Sequence, residues 1–357
     1  MLRWPAEFSS ANALSPDVMP GPDALAVLAT GFGGYPSVVA SDGDAHRRLR
    51  APVNRGLTAA HVTAALPFVA ARVAELFSAF ARDGAVELMG AYARRLPGQV
   101  IGRLLGLEPA DVPAAVAGSY RAEALLFRPM GEEDQIRAAE DVVAMQHLLD
   151  SYARARRRDR RDDLISAMVF GLVPGEGELT PEQRNEIVSQ LQNLLIAGHL
   201  TTSALIGSTF LHLLRHREQW DLLCGRPGLI PAAIEEVARY DAVVQGFRRI
   251  TTRPLTLAGT ELPAGTPVFL AFGSANRDER SVERPDTFDI TCAPAGRLAF
   301  GHGVHGCPGH QLAREQLRLT LETFVTRLPD LRLAPGREVR TRPTPIHRSP
   351  VELRLVW

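Results

Sequence analysis

The strongest constraint on this chain is one long apolar helical pattern, running from Pro181 to roughly His216. Its start is well marked: Thr180 can cap, Pro181 suits the first helical position, and Gln183 completes a capping box. A helix of that length would cross the whole domain. Helical spacing also dominates residues 59–80, 87–105 and 134–158. Short strand-type segments follow, at Leu255-Thr256-Leu257 and at 266–270, and the last eight residues, 350–357, alternate like an edge strand. With 357 residues, no internal repeat and no long linker, the pattern predicts one mainly α domain over 1–357 with a small β region.

Composition narrows the possible partners. Forty basic and forty acidic residues cancel, so no global charge points to nucleic acid or to an anionic membrane. Every one of those basic residues is arginine. Six arginines fall within residues 154–161, where a solvated helix end is expected. Cys224, Cys292 and Cys307 are too few and too dispersed for a disulfide framework, which favours a reducing cytoplasm. The first seven residues carry no signal-peptide core, and no stretch approaches ~20 uninterrupted apolar residues, so a cytoplasmic protein with no membrane span is expected.

The densest chemical signal is Phe300-Gly301-His302-Gly303-Val304-His305-Gly306-Cys307-Pro308-Gly309, directly ahead of a helical pattern through Leu312, Ala313 and Arg314. The glycines let the backbone turn tightly and approach a flat object closely. A cysteine at a helix N-terminus has its thiolate favoured by unpaired amides and the macrodipole. No second cysteine lies nearby, so neither a redox pair nor a zinc cluster is indicated. One thiolate beside a hydrophobic floor suits an axial ligand of haem iron.

The pattern Phe-x-x-Gly-x-x-x-Cys-x-Gly followed by Leu-Ala-Arg resembles the haem-binding loop of cytochromes P450. Three further motifs resemble that family in the expected order. His46 and Arg50, one helical turn apart, look like its His-x-x-x-Arg helix. Ala197-Gly198-His199-Leu200-Thr201-Thr202 resembles its oxygen-binding stretch, and Glu236-x-x-Arg239 its conserved helix pair. The resemblance implies the P450 fold, with the long central helix over a haem b whose iron is held by Cys307. It implies cofactor contacts from Phe300, Gly301 and Gly309, and propionate partners in His46, Arg50, Arg249 and His305. Thr201, Ala197 and Gly198 would serve oxygen activation. Glu236, Arg239 and Arg277 would form a structural network under the haem, and His199 would be a packing residue.

Asn193, one turn before Ala197 on the same helix face, and Gln245 are weaker substrate candidates. The implied reaction is oxidation of a small or carrier-bound organic substrate, in bacterial secondary metabolism. Electrons would come from NAD(P)H through a separate ferredoxin or flavodoxin, docked on a cationic face that Arg47, Arg48 and Arg318 could supply.

Two departures stand out. Leu200 occupies the position where the family has an acid, and leucine cannot transfer a proton. Either water or another acid substitutes, or weak proton delivery favours coupling, desaturation or peroxide-driven oxidation. A non-catalytic P450-like helper protein is the alternative of another class. In addition, only 45 residues precede His46. The segment 22–29 resembles the helix that follows the family's first two strands, so those strands are expected to be shortened or absent, leaving the pocket more open.

Overall fold

The computed structural model describes residues 1–292, 298–336, 338–342, 344 and 346–357. Its helices, in chain order, are α1 (Pro22–Leu28), α2 (Gly43–Gly56), α3 (Ala59–Ser78), α4 (Arg95–Leu105), α5 (Val112–Phe127) and α6 (Glu132–Arg158). They continue with α7 (Leu164–Leu172), α8 (Pro181–Arg215), α9 (Arg217–Gly225), α10 (Ile230–Tyr240), α11 (Phe272–Ala275) and α12 (His310–Arg327). The strands are β1 (Phe8–Ser9), β2 (Ala85–Glu87), β3 (Gly246–Thr251), β4 (Leu255–Leu257), β5 (Thr260–Leu262), β6 (Pro267–Ala271), β7 (Arg332–Leu333) and β8 (Arg354–Val356).

The 35-residue helix α8 is the axis of the molecule, and its capping box forms as the sequence predicts. Thr180 Oγ1 accepts from the Gln183 amide at 3.3 Å, and Gln183 Oε1 accepts from the Thr180 amide at 2.9 Å. The two halves of α8 enter different cores. Ile187 to Leu195 packs with α5, α6 and α7, while Ala204 to Leu214 packs with α3, α4, α10 and α12. By length and composition α3 and α8 are apolar enough to cross a membrane. Here the apolar window of α8 is 78% buried, and α3 packs Phe77 on Phe324 of α12 with ring centroids 5.1 Å apart.

Several expectations need correction. Residues 87–105 are not one helix: β2 gives way to a π-helical turn at Met89–Ala93 before α4 begins. Glu87 forces the break, its carboxylate accepting from the amides of Met89 (3.0 Å), Gly90 (2.6 Å) and Leu353 (2.9 Å). The C-terminal strand is not an edge, because β8 lies between β2 and β7. The arginine run at 154–161 is not merely solvated. Arg156 is 3% exposed, pairs with Asp163 at 2.5 Å and donates to the carbonyl of Gly106 at 2.7 Å. Only β1 precedes α1 among the described residues, and it extends the β3–β6 sheet.

Near the end of α10 lies a buried ion pair. Arg239 and Glu236 are 2% and 1% exposed and meet in two hydrogen bonds, of 2.8 and 2.7 Å. Arg239 also donates to the carbonyls of Asn276, Pro285 and Thr287, while Glu236 accepts from the Asp289 amide. Arg277 is not part of this direct network, contrary to expectation. It pairs with Asp286 at 2.6 Å and lies 4.5 Å over the Tyr240 ring, one layer outward.

Removing one partner of such a pair strands the other charge in the core. Arg239→Met is therefore expected to cost about 3–5 kcal/mol in chemical denaturation, with part of the loss recovered in the double variant Glu236→Leu/Arg239→Met.

Candidate functional site

The cysteine loop is shaped by glycines that no other residue replaces easily. Gly301 and Gly303 have φ of 69° and 73°, and a Cβ on Gly303 would sit 2.6 Å from the Leu2 carbonyl. The Cys307 amide donates to the Phe300 carbonyl at 2.8 Å, folding the loop back on itself just before α12. Burial pushes the Cys307 thiol up from its ordinary value. The amides of Gly309 and His310 and the charges of Arg50 and Arg314 act the other way and favour the thiolate. Phe300 is fixed by Arg314, whose guanidinium lies 4.4 Å over its ring and pairs with Glu235.

Four basic side chains gather beside this loop. The rings of His46 and His305 lie 4.3 Å apart. Arg50 donates to Asn54 and to the Gly306 carbonyl of the loop. Arg249 is 4% exposed, and its guanidinium donates to the Arg248 carbonyl, with no ion-pair partner among the described residues. The alternation of β3 separates it from its neighbour: Arg248 points outward to Asp17, whereas Arg249 points inward. Burial, together with the positive neighbours His46, Arg249 and Arg50, drives His305 down to about 4.

Asp42 is the carboxylate near this group, and it is already engaged. It accepts from the Ser10 amide and from the Ser9 hydroxyl, which ties β1 to the start of α2. Ser10 Oγ meets His305 Nε2 at 2.9 Å, and Asn12 donates to the Arg249 carbonyl at 3.2 Å. These holders of the basic side chains were not visible in the sequence. Asp42 sits at a helix N-cap position, yet its side chain makes no cap and reaches back to β1 instead.

The positive charge of Arg249 and Arg50, short of carboxylate beside two imidazoles held towards neutral, is the fit test for an anionic cofactor. An unpaired buried cation costs several kcal/mol, so Arg249 calls for a counter-anion. His46 Nε2 is likewise buried with no hydrogen-bond partner. Two carboxylates on one planar group beside a thiolate meet both demands.

On α8, Ala197 is exposed in mid-helix while Leu195, His199 and Leu200 around it are buried. Asn193, Gly198 and Thr201 are half-exposed, so this part of the central helix borders open space. The Thr201 hydroxyl donates to the Ala197 carbonyl at 3.0 Å. Gly198 has a packing reason of its own, since a Cβ there would meet Ile101 of α4 at 2.5 Å. Leu200 is 7% exposed. Gln245 is engaged within its own loop, donating to the Ala242 carbonyl and packing against Gly273.

His199 is fully buried, contacts Ser119 Oγ at 3.2 Å and the Leu195 carbonyl at 2.7 Å, and packs edge-on to Tyr120. Burial lowers it to about 4, so it is a neutral bridge between α5 and α8.

A depression of about 690 Å³ opens along the loop. It is lined by Cys307, Phe300, Arg50, Asn54, Glu235 and Arg314, among others, and by none of Ala197, Thr201, His46, His305 or Arg249. It therefore shares Arg50 with the basic cluster but not the open face of α8. Arg47, Arg48 and Arg318, expected to offer a cationic face, are paired with Asp44, Glu186 and the Glu315/Glu322 pair respectively.

A half-buried thiol facing amides and arginines, a cluster of basic side chains beside it and a long helix opened at Ala197 fit the site of a haem-thiolate protein. Comparison with known proteins agrees. The family model described as cytochrome P450 matches residues 228–352. The steroid C26-monooxygenase of Mycobacterium tuberculosis is 35% identical over 331 residues, covering 93% of this chain and 84% of that protein. The cyclomarin C epoxidase CymV of Salinispora arenicola is 36% identical over 324 residues, covering 90% and 80%. The solved structure of cytochrome P450 CREJ in complex with (4-ethylphenyl) dihydrogen phosphate superposes with a TM-score of 0.92 at 30% identity, covering 100% of this chain and 88% of that one. The chain belongs to the cytochrome P450 family. It is a haem-dependent monooxygenase, and the readings as a helper protein or as an enzyme specialised for coupling, desaturation or peroxide are not favoured.

Unfolded, His199 titrates near the ordinary 6.5; folded, near 4. As pH falls through that window the unfolded chain binds a proton that the native state refuses, so stability declines by on the order of 3 kcal/mol. His199→Gln is expected to flatten the pH dependence of denaturation between pH 6.5 and 4 relative to the parent.

Proposed function

We propose that the single domain 1–357 holds haem b through Cys307 Sγ and oxidises an organic substrate, a free small molecule or a carrier-bound one, in the bacterial cytoplasm. The observation that carries this reading is the buried, under-compensated positive charge beside the Cys307 loop. His46, Arg50, Arg249 and His305 would take the two propionates, with Ser10 and Asp42 holding His305 in place. Phe300, Gly301 and Gly309 would keep the loop close and flat against the macrocycle. When bound, haem supplies the iron at which O₂ is activated, and a thiolate ligand assists O–O cleavage.

The remaining roles belong to the chain itself. Ala197 leaves room on the open face of α8. Thr201 Oγ1 keeps a proton on the Ala197 carbonyl and can rotate to present it to that face. Leu200 holds no proton, so water reaching Thr201 would deliver it. Asn193, on the same face, would orient the substrate. Relatives named for a steroid and for cyclomarin C support a bulky substrate and a place in secondary metabolism.

Electrons from NAD(P)H would arrive through a separate ferredoxin or flavodoxin. The depression beside Cys307, where Arg50 has no carboxylate partner among the described residues, is a better docking place than the paired Arg47, Arg48 and Arg318.

The absorption spectrum of the reduced protein under carbon monoxide tests the reading. A strongly red-shifted Soret band that is lost in Cys307→Ser is expected; a band typical of histidine ligation would overturn it. In Arg249→Leu the ratio of retained haem to protein is expected to fall at unchanged Cys307 ligation, read by the same spectrum after gel filtration.

A further inference from the structure

A second surplus of positive charge, half-buried, lies away from Cys307, between α5 and the residues 341–342 and 346–351. Thr341 and Arg342 form a short pairing there, Thr341 bridging to Pro350 and the Arg342 amide donating to the Ser349 carbonyl at 2.8 Å. Arg342 extends from it over the ring of Tyr120 in α5, 5.5 Å from the centroid. The guanidinium of Arg342 has no hydrogen bond or ion pair among the described residues. Arg94, just ahead of α4, reaches the same segment and donates to the Val351 carbonyl at 2.6 Å, with no carboxylate partner among the described residues.

Glu123 is the one carboxylate among the groups that act on Arg342, and it is already shared. It is 1% exposed, pairs with Arg128 at 3.3 Å and contacts His347 Nδ1 at 3.5 Å. These two partners hold Glu123 ionised against the pull of its burial. Arg128 is itself incompletely satisfied, because its Nε is buried with no acceptor. Arg128 and Arg342 thus share one carboxylate, and Arg94 adds a third positive charge beside Arg342. Burial, and then the charges of Arg128 and Arg94, hold Arg342 below its ordinary value, as expected where cations crowd without a counter-ion.

Guanidinium forks suit the oxygens of carboxylate and phosphate, which they bind in charge-assisted pairs. The Tyr120 face under Arg342 adds an aromatic wall that an inorganic ion would not need. We propose that Arg342, with Arg94 and Arg128, forms a binding site for the anionic head, carboxylate or phosphate, of an organic ligand. The site is a property of the polypeptide and does not rest on the haem reading.

The test is calorimetric titration of the haem-loaded protein, in a low-chloride buffer free of phosphate, with phenyl phosphate, benzoate, inorganic phosphate and phenol. Phenyl phosphate or benzoate is expected to bind, phenol to bind far more weakly, and Arg342→Gln to weaken the anion by about tenfold or more. Arg342→Lys should retain part of the affinity, and thermal melting confirms that each variant is folded. Arg94→Gln, which removes a cation outside the Glu123 pair, should weaken binding in the same direction if Arg342→Gln does not fold. Inorganic phosphate binding as tightly as phenyl phosphate would overturn the organic-ligand assignment in favour of a free anion. Equal affinity in parent and folded Arg342 variant, or no binding of any anion, would overturn the site itself.

Discussion

The loop that carries Cys307 has little regular structure of its own, and it depends on the ion pair of Glu236 and Arg239. Arg239 gathers the carbonyls of Asn276, Pro285 and Thr287, Glu236 takes the amide of Asp289, and Asn276 Oδ1 accepts from the Leu298 amide at 2.7 Å. That last bond reaches the start of the cysteine loop. Buried charges are not efficient stabilisers, since apolar residues of similar volume often do as well. What this pair supplies is direction: five donors in a rigid fork fix several loop carbonyls at once, which no apolar side chain can do.

Electrostatics is handled differently elsewhere in the molecule. Most arginines are neutralised locally, as Arg156 is by Asp163, Arg184 by Asp150 and Arg314 by Glu235. Two places break that habit, one around Arg249 and His305 and one around Arg342. In both, arginine lies buried or half-buried and short of carboxylate. Such a shortfall is costly in isolation and becomes favourable only when an anion arrives. We assign the first shortage to the propionates of the cofactor and the second to the anionic head of an organic ligand, as proposed above.

The oxygen-motif stretch of α8 shows how one helix divides its duties by face. Ala197 and Thr201 border open space, Gly198 admits Ile101 of α4, and His199 is locked against Ser119 and Tyr120 on the opposite side. The helical period places these residues on separate faces, so the buried neutral histidine packs between α5 and α8 away from the open face.

Local signals in the sequence determined much of this protein. The capping box at Thr180 and the glycines around Cys307 were legible from local spacing, while the turn-spaced His46 and Arg50 and the Glu236/Arg239 pair were legible through their resemblance to P450 motifs. The identity of α8 as the axis followed from its length. Tertiary structure decided what depends on residues far apart in the chain. Glu87 breaks a helix because Leu353 comes to it, Asp42 abandons its cap to hold β1, and β8 becomes a central strand because β2 and β7 close on both sides. Of two adjacent arginines, strand alternation within a folded sheet turned Arg249 inward and Arg248 out. Charge balance in a buried cluster is the sum over several distant elements, and that sum exists only once they meet.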